Sequence, residues 1–136
     1  MLRWIMAGLI PLLLAGCGSI IGTCDDGRGG IRLFGKSEAE YKLNRGLKDY
    51  EDGNYINSMN ALQDVLETKL ANKEDKVIAY KYLAFIHCIS SREMLCKEYF
   101  RKVLLIDPTF ELSPAEVGHP LWGPAFRSVK GSKTNK

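Results

Sequence analysis

No segment of this 136-residue chain alternates apolar and polar residues between hairpin turns, which argues against a sheet. The N-terminal apolar run, residues 4–14, is broken by Gly8 and Pro11 and falls short of the about 20 residues that a membrane-crossing helix needs. No nucleophile motif, glycine-rich phosphate loop or pair of carboxylates in an evident cleft stands out, so neither catalysis nor a small-molecule substrate is expected. The cysteines include no C-x₂-C pair, and Cys88, Cys96 and His87 are too few for a zinc site, so no metal or other cofactor is expected. The charge surplus is also small: 19 Lys plus Arg stand against 16 Asp plus Glu, which does not describe a nucleic-acid surface.

What is present begins with Arg3, followed by the short apolar run and then by Leu14-Ala15-Gly16-Cys17. A basic start, an apolar centre and a small-residue end are the layout of a secretory signal. Small residues directly before a cysteine resemble the lipobox of bacterial lipoproteins, in which the thiol is diacylated, the chain is cut before it and the new amine is acylated. The resemblance implies a signal peptide over residues 1–16 and lipidation of Cys17. It also implies stable anchoring, because two acyl chains hold where one does not. In Gram-negative systems an Asp after the lipidated cysteine favours retention at the inner membrane. Gly18 and Ser19 follow here, which turns the expectation to the periplasmic side of the outer membrane and leaves the inner membrane open.

Removing residues 1–16 leaves roughly 120, enough for one domain. Residues 17–36 are rich in Gly and short polar side chains, including Gly27-Arg28-Gly29-Gly30, and read as a lipidated flexible tether. Cys24 lies in it without an evident partner. Helical spacing then runs over residues 37–50, 55–70, 76–89 and 93–106, with breaks at Asp52-Gly53-Asn54 and Ser90-Ser91-Arg92. Pro108 cannot continue the helix it follows. Ser113-Pro114-Ala115-Glu116 has capping-box spacing with Pro at the first helical position, which predicts a short helical turn. Leu121, Trp122, Phe126 and Val129 can form an apolar stripe laid across the preceding helices, with Pro124 allowed only near a helix start. His87 is expected at a helix surface and His119 at a cap or turn. Residues 127–136 read as a frayed basic tail, disordered over 131–136.

Internal repetition is the strongest signal after the tether. Gly46, Tyr50, Gly53, Ser58, Leu62, Val65 and Leu66 are matched, all at one constant offset, by Ala84, Cys88, Ser91, Cys96, Phe100, Val103 and Leu104. With Tyr55, Leu83 and Pro108 these positions resemble the tetratricopeptide repeat. The offset exceeds that repeat's usual period, and the extra residues fit the polar stretch Ala71-Asn72-Lys73-Glu74-Asp75, where a longer link costs little. Glu93 stands where the pattern has an aromatic residue, and Arg45 where it has an apolar one. The resemblance implies an all-α fold over residues 37–130: two tetratricopeptide-like hairpins plus a C-terminal capping helix in a short right-handed solenoid. It further implies a protein-binding surface on the inner helices, with Tyr41 and Tyr80 as contact residues. Cys88 closes one helix and Cys96 opens its antiparallel partner at a similar distance from the turn. A disulfide is therefore favoured over two small buried thiols in an exported protein.

The run from Phe100-Arg101-Lys102-Val103 through Ile106-Asp107-Pro108 to His119-Pro120-Leu121-Trp122-Gly123-Pro124-Ala125-Phe126 resembles small helical-repeat lipoproteins encoded near type VI secretion clusters. That likeness implies a membrane-anchored scaffold or adaptor that binds a protein partner of an envelope machine. A second reading stays open: a lipoprotein of outer-membrane biogenesis or pilus assembly.

Overall fold

The structure, a computed structural model, describes residues 37–133. The expectations for Cys17, the signal peptide and the tether fall outside those residues. Among the described residues there are six helices and no strand: α1 (Glu38–Glu51), α2 (Tyr55–Glu67), α3 (Lys73–Ile89), α4 (Glu93–Ile106), α5 (Pro114–Val117) and α6 (Trp122–Lys133). None of them is long and apolar enough to cross a membrane.

Local chemistry sets the helix starts. The Ser37 hydroxyl accepts the Glu40 backbone N–H at 3.1 Å, and the Asn72 side chain accepts that of Asp75 at 2.7 Å, so each satisfies an N-terminal donor the helix leaves unpaired. The capping box at Ser113 is complete, with Glu116 accepting the Ser113 backbone N–H at 3.0 Å in return.

α1 and α2 form one antiparallel hairpin, and α3 and α4 form a second. α3 sits against both helices of the first hairpin. The two turns share one backbone solution. Gly53 and Ser91, matched by the repeat offset, both have positive φ, at 77° and 59°. Asn54 N–H donates to the Asp49 carbonyl and Gly53 N–H to that of Tyr50; Arg92 and Ser91 donate likewise to His87 and Cys88. These crossed pairs are the Schellman arrangement that closes a helix end.

Close approach within the first hairpin centres on Gly46. A Cβ there would come within 2.9 Å of the Leu62 side chain, and the Ser58 hydroxyl donates to the Gly46 carbonyl at 2.7 Å. The counterparts Ala84 and Cys96 are fully buried between α3 and α4. Leu62 and Phe100, and Val65 and Val103, occupy matching core positions with no exposure.

The segment after α4 returns across α3 and then enters α6. Leu121 lies beside Cys88 at the α3–α4 turn, and α6 then runs along α4 until Phe126 meets Phe110 beyond the far end of α4. Trp122, Ala125, Phe126 and Val129 complete the core of the second hairpin. Leu121, expected in that stripe, is instead 49% exposed, because it precedes the helix.

Three further expectations are corrected. α2 ends at Glu67, where Thr68 turns extended and its hydroxyl bonds back to the Asp64 carbonyl at 2.8 Å. α3 begins at Lys73, so most of the polar stretch expected as a link is a helical turn capped by Asn72. Residues 127–133, expected to fray, are helical, because Val129 is buried and Lys130 bonds the Phe110 carbonyl and pairs with Glu111.

Candidate binding surface

The first chemistry-bearing feature is the α3–α4 turn. Cys88, in the last turn of α3, is disulfide-bonded to Cys96, in the first turn of α4, across a Cα separation of 5.1 Å. The antiparallel hairpin brings two positions equally far from the turn face to face. Cys96 is fully buried, while Cys88 borders an open groove of about 590 Å³. The other walls include Glu93 and Lys97 of α4, which form an ion pair, and Leu121, Pro124 and Ala125 around the start of α6.

The second feature is a row of rings that the sequence reading did not assemble. Tyr55 and Tyr50 lie 5.7 Å apart between centroids, Tyr50 and Tyr82 4.9 Å, Tyr82 and Phe85 5.6 Å, and Phe85 and Trp122 4.3 Å. His119 stacks on Trp122 and accepts the Leu121 backbone N–H, a turn role as expected. Edge-to-face and offset stacking of this kind adds to simple area burial. Desolvation, reinforced by Tyr55, Tyr82 and Glu116, pushes the Tyr50 phenol up to about 12. The signal for this row was Tyr50 and Tyr82 on α1 and α3, but their spacing differs from the constant offset, at which Tyr50 corresponds to Cys88.

Lys81 closes over the row. Its ammonium stands 4.8 Å from the Tyr82 centroid and bonds to Glu116 at 2.7 Å, with both side chains mostly buried. Burial raises the Glu116 pKa, but the Lys81 and Ser113 hydrogen bonds outweigh it and hold the carboxyl below its ordinary value. One carboxylate therefore fastens the returning segment to α3 and caps α5 at once.

Tyr41 and Tyr80 occupy different surroundings. Tyr41 is 64% exposed and borders a smaller groove of about 380 Å³ with Arg45, Asn60 and Asp64 of the first hairpin. Tyr80 is half-buried, 6.0 Å from the Tyr99 ring, with the Lys102 ammonium 4.8 Å from Tyr99. The position matching Tyr41 on α3 is Ala79, fully buried against the first hairpin. Tyr41 thus lies on the face of the first hairpin that no described helix covers.

His87 corrects an expectation: it is 4% exposed and stacks on Tyr99 at 5.0 Å. Burial, with Arg92 nearby, lowers its pKa. Its Nδ1 and the Oδ2 of Asp49, its counterpart in the first hairpin, are buried atoms without a hydrogen-bond partner; Arg45 Nε approaches Asp49 only to 3.9 Å. Among the described residues no group of three His, Cys, Asp or Glu side chains is placed to hold a metal ion.

Comparison with protein-family models, curated proteins and solved structures gives no match for this chain.

Proposed function

We propose that the chain is a lipoprotein scaffold or adaptor, anchored through Cys17 on the periplasmic side of the outer membrane, that holds a protein partner as an accessory part of a type VI secretion system. In this reading the two hairpins and α6 are tetratricopeptide-like repeats with a capping helix in a short right-handed solenoid. The observation that carries it is the correspondence of packing and turn geometry at one constant offset. Gly53 and Ser91 share a backbone conformation, and Leu62, Val65, Phe100 and Val103 share core positions. Stacked helical hairpins of this kind bury one face on their neighbours and leave long open surfaces for binding. Tyr41 and Tyr80 are proposed contact residues, Tyr41 because a large exposed ring suits an interface anchor.

The test is crosslinking and mass spectrometry on the tagged full chain in its native cells, with a Cys17→Ser control. Type VI membrane-complex or sheath proteins should be enriched, and that enrichment should vanish in the control. Recovery of barrel-assembly or pilus components would overturn the assignment to type VI secretion.

A further inference from the structure

The groove beside the disulfide is lined by residues of the second hairpin that stand where the first hairpin carries rings. At the repeat offset, Cys88, Glu93 and Lys97 correspond to Tyr50, Tyr55 and Met59. Those three pack, partly buried, against the core of the first hairpin, with Tyr50 and Tyr55 in ring contact. In the second hairpin a half-cystine and a charged pair stand instead, and about 590 Å³ is left open. The groove's walls suit a ring. Pro124, Ala125 and the half-exposed Leu121 offer flat apolar surface, and a sulfur lies at its edge. Lysines in this chain already stand over rings: Lys81 over Tyr82, Lys102 over Tyr99 and Lys130 over Phe126, all within 5.8 Å. Lys97 is positioned to do the same for a ring in the groove, and Glu93 to accept a phenol.

In the mature chain that the proposed signal cleavage leaves, without Trp4, the remaining aromatics do not supply that ring. Residues 134–136 contain none. Phe34 lies three residues before Ser37 and reaches roughly 11 Å from it. The groove sits at the opposite, turn-bearing end of the hairpins, where Arg92 meets Met59, and α1 alone is about 21 Å long. We propose that this groove receives an aromatic side chain, tyrosine foremost, projecting from the protein partner. The inference rests on the reading of the chain as a partner-binding scaffold and names the chemistry that the partner presents.

The test titrates the mature lipoprotein in detergent with N-acetyl-tyrosinamide and, as control, N-acetyl-leucinamide, following the backbone amide resonances of Ser91, Lys97, Leu121 and Ser128. The tyrosine amide should shift them saturably, and the leucine amide should bind at least about tenfold more weakly. Glu93→Tyr, which restores the first hairpin's residue, should fill the groove and abolish the shifts while the far-ultraviolet circular dichroism stays unchanged. Lys97→Met serves the same purpose if Glu93→Tyr misfolds, with weakened binding expected. Equal shifts with both amides, or undiminished shifts in the variant that folds, would overturn the inference. A partner captured equally well by wild type and Glu93→Tyr would also overturn it and leave the scaffold reading standing. Failure to capture any partner with either protein removes the scaffold reading, while the amide titration still decides the groove.

Discussion

The two hairpins solve one backbone problem with different side chains. In the first, the hydroxyl of Ser58 ties α2 to the Gly46 carbonyl; in the second, the corresponding residue is Cys96, and the tie is covalent. The first turn uses Gly53 at positive φ, and the second forces Ser91 into the same region. An aromatic pair, Tyr50 and Tyr55, stands beside the first turn, where the second hairpin has Cys88 and Glu93 in the wall of a groove. The register is thus set by small residues and turn geometry, and the chemistry at each register position is free to vary.

The comparison can be broken hardest at its shared core. Phe100→Ala should cost about 3–5 kcal/mol and Leu62→Ala about 2–5 kcal/mol, read from thermal or urea unfolding. Either truncation should lower one common transition, since α3 packs on both hairpins. Two separated transitions would show that the hairpins unfold independently. Next comes the covalent tie. Replacing Cys88 and Cys96 by Ala should lower stability by about 2–3 kcal/mol for so short a bridged loop, and reductant should reproduce the loss in wild type alone. Gly46→Ala follows at about 1–3 kcal/mol, because the added methyl meets Leu62; an unchanged unfolding midpoint would show that α1 and α2 separate freely.

Smaller effects sharpen the comparison. Ser91→Gly removes a left-handed serine from a position where the first hairpin already has glycine. It should raise stability by up to about 1 kcal/mol, whereas Gly53→Ser should lower it by a similar amount. The last difference is one of pH. His87 is buried with a lowered pKa, so the unfolded chain binds its proton more readily than the folded one. Its contribution is present above the unfolded value near 6.5 and is lost as the pH falls through the lower folded value. A His87→Gln variant should show a shallower loss of melting temperature below about pH 6.5 than wild type, and an identical slope would assign that loss to other groups.

Much of this was legible in the chain. Gly53, the Ser90-Ser91-Arg92 break and Pro108 mark helix ends through backbone constraints that act over a few residues, and the structure ends helices there. The capping box at Ser113 is equally local. Cys88 and Cys96 were readable because an antiparallel hairpin fixes which residues face each other. What escaped depended on distant partners. His87 looked polar, and its burial against Tyr99 comes from α4, beyond the reach of local sequence. Residues 127–133 looked like a basic tail, because Lys130 finds the Phe110 carbonyl and Glu111 only after α6 has docked on α4. The early start of α3 had a local signal in Asn72 followed by acidic residues, but the repeat offset places extra residues, and so a link, in the same stretch. The groove had a one-residue signal, Glu93 in place of an aromatic, whose meaning required its walls from α6.

The Cys88–Cys96 bridge also changes what a cut in the backbone can accomplish. Arg92 lies inside the bridged loop, in a stretch from Ser90 to Leu95 that is exposed throughout, where trypsin-like proteases can act. Severing the peptide bond after Arg92 leaves both fragments covalently joined, so the nicked chain keeps its mass apart from one added water and migrates as one band without reductant. At this exposed turn, hydrolysis alone therefore cannot release a fragment.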